Sequence, residues 1–198
     1  MEHAPIEAML ENSYRNFHVK GFDYLCLFRT PEWTRKVYFF EGDLTRLPEI
    51  VNPHDHRYDF DTTVITGAIS NSYYSEDPAG DVYEEFEWRT PLLGGDGFLW
   101  KRETRLLEEQ RFVLRRGQSY RMTTDQLHTI RMHADRTIIL LDQWADKVPA
   151  ELPTRTFMHT KSAPQTTGLY DRFTADQLMA RLSQYEEAAV GLNDMVAA

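Results

Sequence analysis

The stretch Asn52-Pro53-His54-Asp55-His56-Arg57-Tyr58-Asp59-Phe60-Asp61-Thr62-Thr63-Val64-Ile65-Thr66-Gly67 decides how the rest of this 198-residue chain is read. Two histidines two residues apart share one side of a β-strand, because strand side chains alternate between faces. Imidazole is a common protein ligand for zinc, iron, copper and nickel, so a same-face pair is half of a metal site. Val64 and Ile65 continue the stretch as a β-branched apolar run and Gly67 stops it, which reads as a strand running into a turn. A metal needs at least one more ligand from elsewhere in the chain.

The bulk properties narrow the setting. A chain of 198 residues suffices for one domain with a substantial core, and a single domain over 1–198 is expected. The formal net charge of -9 excludes a typical nucleic-acid binder, which carries a basic face, and a polybasic membrane attachment. Cys26 is the single cysteine and sits in the apolar run Tyr24–Phe28, where it reads as a small buried hydrophobe in a reducing compartment. The start Met1-Glu2-His3-Ala4-Pro5 lacks a basic-then-apolar leader, and no apolar run reaches transmembrane length, so a soluble cytoplasmic protein is expected.

On either side of the histidine stretch, β-strand patterns dominate. Ile6, Met9, Leu10, Tyr14 and Phe17 predict an amphipathic helix over 5–17. Strands are expected at 23–29 and 34–40, and at 68–75 as the antiparallel partner of the histidine strand. Asp81–Arg89 alternates, which predicts a half-exposed strand with its acids solvated. Two separate strands are expected at 98–105 and 109–114. After a turn at Arg115-Arg116-Gly117, an extended segment runs over 118–122. Leu127–Met132 and Arg136–Asp142 read as a pair joined through the His133-Ala134-Asp135 turn. Thr174 and Gln177 have capping-box spacing ahead of Leu178, Leu182 and Tyr185, within a helical C-terminal addition over 171–189. The pattern predicts a mainly β sandwich or barrel, its core over about 22–145, bracketed by helices.

His128 is the candidate third ligand, lying in Gly117-Gln118-Ser119-Tyr120-Arg121-Met122-Thr123-Thr124-Asp125-Gln126-Leu127-His128. Here the sequence resembles the cupin superfamily, whose two motifs lie on neighbouring strands of a small jelly-roll barrel. His54, His56 and Gly67 match the first motif, and the Gly117-to-His128 spacing matches the second, over roughly Tyr38 to Asp142. Thr123, Asp125 and Met132 depart from the second motif, standing where it has a proline, a glycine and an asparagine. Phe60 falls where the first motif has glutamate; by parity it faces the interior, while Asp59 and Asp61 face away unless a bulge intervenes. The resemblance thus implies a jelly-roll barrel (the cupin double-stranded β-helix) with a three-histidine site lacking a carboxylate, a pattern similar to thiol dioxygenases and some diketone- and quercetin-type dioxygenases. It also implies a homodimer, since cupins commonly pair through their sheets.

Three neutral imidazoles leave positions open for substrate and dioxygen, as a catalytic site requires. A metal without an anionic ligand keeps its full charge and favours an anionic substrate such as a carboxylate, enolate or thiolate. Fe(II) is the first choice, with nickel, manganese and zinc as alternatives. The leading expectation is therefore a non-haem iron dioxygenase acting on a small anionic organic molecule. A non-redox isomerase, lyase or hydrolase and a non-enzymatic binding cupin stay open, whereas the absence of His-x-Asp disfavours a 2-oxoglutarate oxygenase. Tyr58 has interior parity and is the candidate catalytic hydrogen-bonding group, with a packed core tyrosine as the equal reading. Tyr120, Arg131 and Trp100 are weaker candidates for the pocket lining. His3, His18, His133 and His159 read as surface or structural residues.

Overall fold

The structure, a computed structural model, describes residues 3–47, 51–89, 94–163 and 168–192. In chain order its first elements are α1 (Ile6–Asn12), β1 (Phe22–Arg29), β2 (Trp33–Phe40) and a 3-10 turn at Asp43–Arg46. There follow β3 (Tyr58–Thr66), β4 (Ala68–Arg89), β5 (Gly97–Arg115), β6 (Ser119–Met122), β7 (Leu127–Met132), β8 (Thr137–Asp146), β9 (Thr154–Met158) and α2 (Ala175–Ala189). Two antiparallel sheets result, ordered β1-β2-β8-β3-β6 and β5-β4-β7, with β9 paired to the far half of β4. The short segment around His54 bridges β7 at His128 and β9 at Thr156. With that segment counted as a reduced strand beside β7, the order β2-β8-β3-β6 lies opposite segment-β7-β4-β5. That is the order of a jelly roll, and the fold is a mainly β cupin-type barrel with helical additions.

Glycine enables one of the crossings between sheets. Gly67 joins β3 to β4 at φ +77°, and a Cβ there would lie 2.2 Å from Thr137 Oγ1, so both the backbone and the space require glycine.

Several local expectations change for reasons of register. The N-terminal helix stops at Asn12, because Ser13 turns extended and Tyr14 then pairs with Tyr24 of β1. β4 does not pair with β3; it crosses to the other sheet, between β5 and β7. The two strands expected at 98–114 are one continuous β5, drawn out along the whole of β4. β7 and β8 flank the expected turn but lie in different sheets. β9 was not expected at all. Glu85 is buried and ion-paired to Arg102 at 2.6 Å, whereas Val82, on the face expected to be buried, is exposed. Among the described residues no helix is long and apolar enough to cross a membrane.

The first sheet has two different faces. Its outer face carries Leu25, Leu27, Val37, Phe39, Ile65 and Ile138, packed under Met9 of α1 and Leu178, Leu182 and Tyr185 of α2. Its inner face carries Tyr24, Tyr38, Phe40, Phe60, Val64, Ile139 and Leu141, turned into the barrel towards Ile69, Leu114, Ile130 and Met132. Strand alternation sorts neighbouring residues between these environments.

Candidate metal centre

His54 and His56 precede β3 rather than lying within it. Pro53 offers no backbone N–H, and the segment is held by its neighbours instead of by a regular ladder. His54 exchanges two backbone hydrogen bonds of 3.0 Å with His128, while Phe157 N–H donates to Pro53 O at 2.8 Å. Asp55 points the other way, accepting from the backbone and the guanidinium of Arg155, each at 2.7 Å. The strap between β7 and β9 therefore fixes the His-x-His alternation that the sequence assigned to a strand.

His54, His56 and His128 come together at one end of the barrel, with one ligating atom from each within 4.8 Å of the others. His56 Nε2 and His128 Nε2 are 2.9 Å apart. Two ligands at right angles on an ion, each about 2.1 Å from it, stand about 3 Å apart, so this spacing suits a shared ion. The opposite ring nitrogens of two of the histidines are committed elsewhere. His128 Nδ1–H donates to Asn71 Oδ1 at 2.6 Å, and His54 Nδ1–H donates to the Asn52 carbonyl at 2.8 Å. Both bonds leave the Nε2 lone pair facing the cluster, the arrangement that orients metal-binding histidines. The donor set fits a divalent ion of the kind imidazole binds.

Burial lowers the proton affinity of all three imidazoles, and at His56 the neighbouring His54 and His128 add to the effect. Neutral rings with available lone pairs follow at neutral pH.

No carboxylate completes the group among the described residues. Phe60, at the position of the expected glutamate, is buried with its ring centroid 4.7 Å from His56 and 5.7 Å from His128. Pairing with β8 shifts register between Tyr58 and Phe60, yet neither aspartate turns inward. Asp59 is ion-paired to Lys147, and Asp61 accepts from Trp144 Nε1 at 3.1 Å.

Tyr58 stands beside the cluster, 5.3 Å from the His56 ring, and burial pushes its hydroxyl up to about 12, keeping it a hydrogen-bond donor. Tyr120 packs 6.2 Å from Phe60. Trp100 and Arg131 do not join them: Trp100 is exposed on β5 and donates to Glu84, and Arg131 is exposed on β7. His18 and His133 are exposed, and His159 stacks on Tyr83. Two residues at this end escaped the sequence reading, Asn71 behind His128 and Lys36 on β2. Each is a polar residue on the inward parity of a strand (beside Ile69 and beside Tyr38 and Phe40), which is the signal that marks them.

No family model matches the chain, and no curated protein matches it. Among solved structures, KdgF from Halomonas sp. is similar at 15% identity and TM-score 0.36, over 62% of this chain and 80% of that one. Hydroxypropylphosphonic acid epoxidase from S. wedmorenis is similar at 16% identity and TM-score 0.41, over 69% of this chain and 56% of that one. The Cnp3 cupin domain of Schizosaccharomyces pombe is similar at 9% identity and TM-score 0.37, over 64% and 66%. The chain thus spans little more than half of the epoxidase. At these values they are neighbours in shape, and the fold is assigned by the strand order above.

Proposed function

We propose that this protein is a metal-dependent enzyme in which His54, His56 and His128 hold a divalent ion, Fe(II) in the first instance, for dioxygenase chemistry on a small anionic organic substrate. The observation that carries the reading is the convergence of three imidazoles, two of them oriented by hydrogen bonds, with Phe60 and, among the described residues, no carboxylate beside them. When bound, such an ion supplies Lewis acidity and, as iron, a route for electrons between substrate and dioxygen. The chain's own residues do the rest. Asn71 and the Asn52 carbonyl hold two of the ligands in their tautomers. Phe60 keeps one side of the cluster dry and free of negative charge, which favours an anionic substrate. Tyr58 stands as a protonated donor for a substrate oxygen.

Elemental analysis of the purified protein beside a His56→Ala variant tests this. Near-stoichiometric iron is expected in the parent and at least a tenfold loss in the variant, followed by substrate-dependent oxygen uptake in screens of thiols and diketones. Zinc or nickel with no oxygen uptake would move the reading to non-redox chemistry. No metal in either protein after reconstitution would overturn it.

A further inference from the structure

Among the described residues Lys36 is the one lysine on the inner face of the barrel. It lies on β2 with the inward parity of Tyr38 and Phe40, and its residue is only 7% exposed. Its ammonium group sits over two aromatic rings, 5.0 Å from the centroid of Tyr58 and 5.5 Å from that of Tyr24. Among the described residues it makes no hydrogen bond and no ion pair. Of the titratable groups that bear on it, Arg29 opposes its charge, while Cys26, its cross-strand partner, and Asp146 favour it more weakly than burial disfavours it. A buried ammonium without a counter-charge is costly, and such a group is kept where a ligand supplies the missing charge.

Its position relates it to the histidines. Lys36 Nζ reaches Tyr58 in a step of 5.0 Å, and Tyr58 reaches His56 in a step of 5.3 Å, so amine and imidazole are at most those two steps apart. Apolar side chains flank both groups: Leu141 lies cross-strand from Lys36, and the Phe60 ring packs 4.7 Å from His56. Thr62, cross-strand from Leu141, shares the inward parity of Phe60 and is fully buried beside Tyr120. At the same end a cleft of about 310 Å³ opens, lined among others by Arg29, Thr34, Gln143 and Asp146. Thr34 precedes Lys36 on the same strand face, and Arg29 donates to the Tyr24 hydroxyl beneath the lysine at 2.8 Å.

We propose that Lys36 is a second anchor of this site, binding the far carboxylate of a small aliphatic dicarboxylate whose near end meets the three histidines. The inference rests on the three-histidine reading and narrows its substrate class. An ammonium acts as a compact point charge, suited to one carboxylate group rather than to a planar bidentate grip. These apolar flanks accept the spacer, and a chain of four to six carbons spans roughly 5–8 Å with C–C bonds of about 1.5 Å. The signs also agree: a divalent ion held by neutral ligands, together with protonated Lys36, carries three positive charges, and a dianion offsets two of them without leaving a buried negative charge.

Calorimetric titration of the Mn(II)-loaded protein with glutarate and with valerate tests the proposal, since the two probes differ by the second carboxylate. Glutarate is expected to bind at least tenfold more tightly than valerate. Lys36→Met should remove that advantage while leaving valerate binding and metal content unchanged, and Lys36→Gln serves as a second variant should the first fold poorly. Equal binding of the two probes to the parent, or undiminished glutarate binding by a folded Lys36 variant, would overturn the anchor. The same pair of titrations on metal-free protein separates the two readings. Failure to take up Mn(II) counts against the histidine site alone, and glutarate binding that depends on Lys36 would then still uphold the anchor, while its absence would reject it.

Discussion

The two faces of β2 put neighbouring residues into opposite roles. Val37 and Phe39 point outward under α2 into an apolar layer, while Lys36 and Tyr38 point inward towards the histidines. The outer layer has what stability demands, close-packed apolar side chains whose bordering charges are paired, Arg35 with Asp142 and Arg181 with Asp23 and Glu41. The inner layer at the histidine end does the reverse: it buries a lysine, several phenols and three imidazoles within a few ångströms of one another. A region that spends free energy in this way is where ligand chemistry is to be sought. One strand serves both ends because alternation keeps the two sets of side chains from interfering.

The largest expected effect is on the outer face. Phe39 is fully buried, with the Arg181 guanidinium 5.0 Å over its ring. Phe39→Ala should cost about 3–5 kcal/mol of unfolding free energy, measured by denaturant titration. Metal bound per folded molecule should not change. Loss of metal in the still-folded fraction would show that the two faces are coupled and break the comparison.

Lys36→Met should move stability the opposite way. Burial, with Arg29 adding to it, lowers the lysine to about 7 from its ordinary 10.5, so the folded state binds fewer protons than the unfolded state between those values. Stability of the parent must therefore rise with pH through that window, and the burden of the charge is greatest below pH 7. Replacement by methionine at neutral pH should stabilise the ligand-free protein by about 1–4 kcal/mol. The gain should shrink as pH climbs from 7 towards 10.5, followed by denaturant titration at several pH values. A variant less stable than the parent across that range would mean that Lys36 has a structural partner, and that the inner face is built like the outer one.

The sequence made the first part of this picture legible through period-two patterning and glycine placement. The interior parity of Phe60 and the outward parity of its flanking aspartates survive in the structure because alternation is geometric and needs no tertiary information. What it could not convey was pairing. In a jelly roll the chain passes repeatedly between sheets, so β4 and β7, adjacent in space, pair residues that stand 53 to 63 positions apart, and local pattern does not record such partners. β9 escaped for the same reason: five residues after two prolines become a strand only because β4 presents an edge and the segment 53–55 needs a strap. Lys36 was visible as an inward-parity lysine, but its meaning depends on which rings surround it. Those rings come from β1 and β3.

The smallest expected effect lies at the border of the outer layer. Thr174 caps α2, its hydroxyl accepting from Gln177 N–H at 3.3 Å while Gln177 Oε1 accepts from Thr174 N–H at 3.0 Å. The reciprocal bonds satisfy two backbone groups that a helix start otherwise leaves open. Thr174→Ala removes one of them and should cost about 1 kcal/mol by denaturant titration. α2 covers Leu178, Leu182 and Tyr185 over the outer face, and its first turn loosens most in such a variant. Amide hydrogen exchange should accordingly quicken at residues 175–178 and stay unchanged at His128 and Asn71, whose backbone lies in the other sheet. If protection at β7 fell together with that at α2, the helix would be supporting the histidines through the barrel wall, and the division of labour between the faces would have to be redrawn.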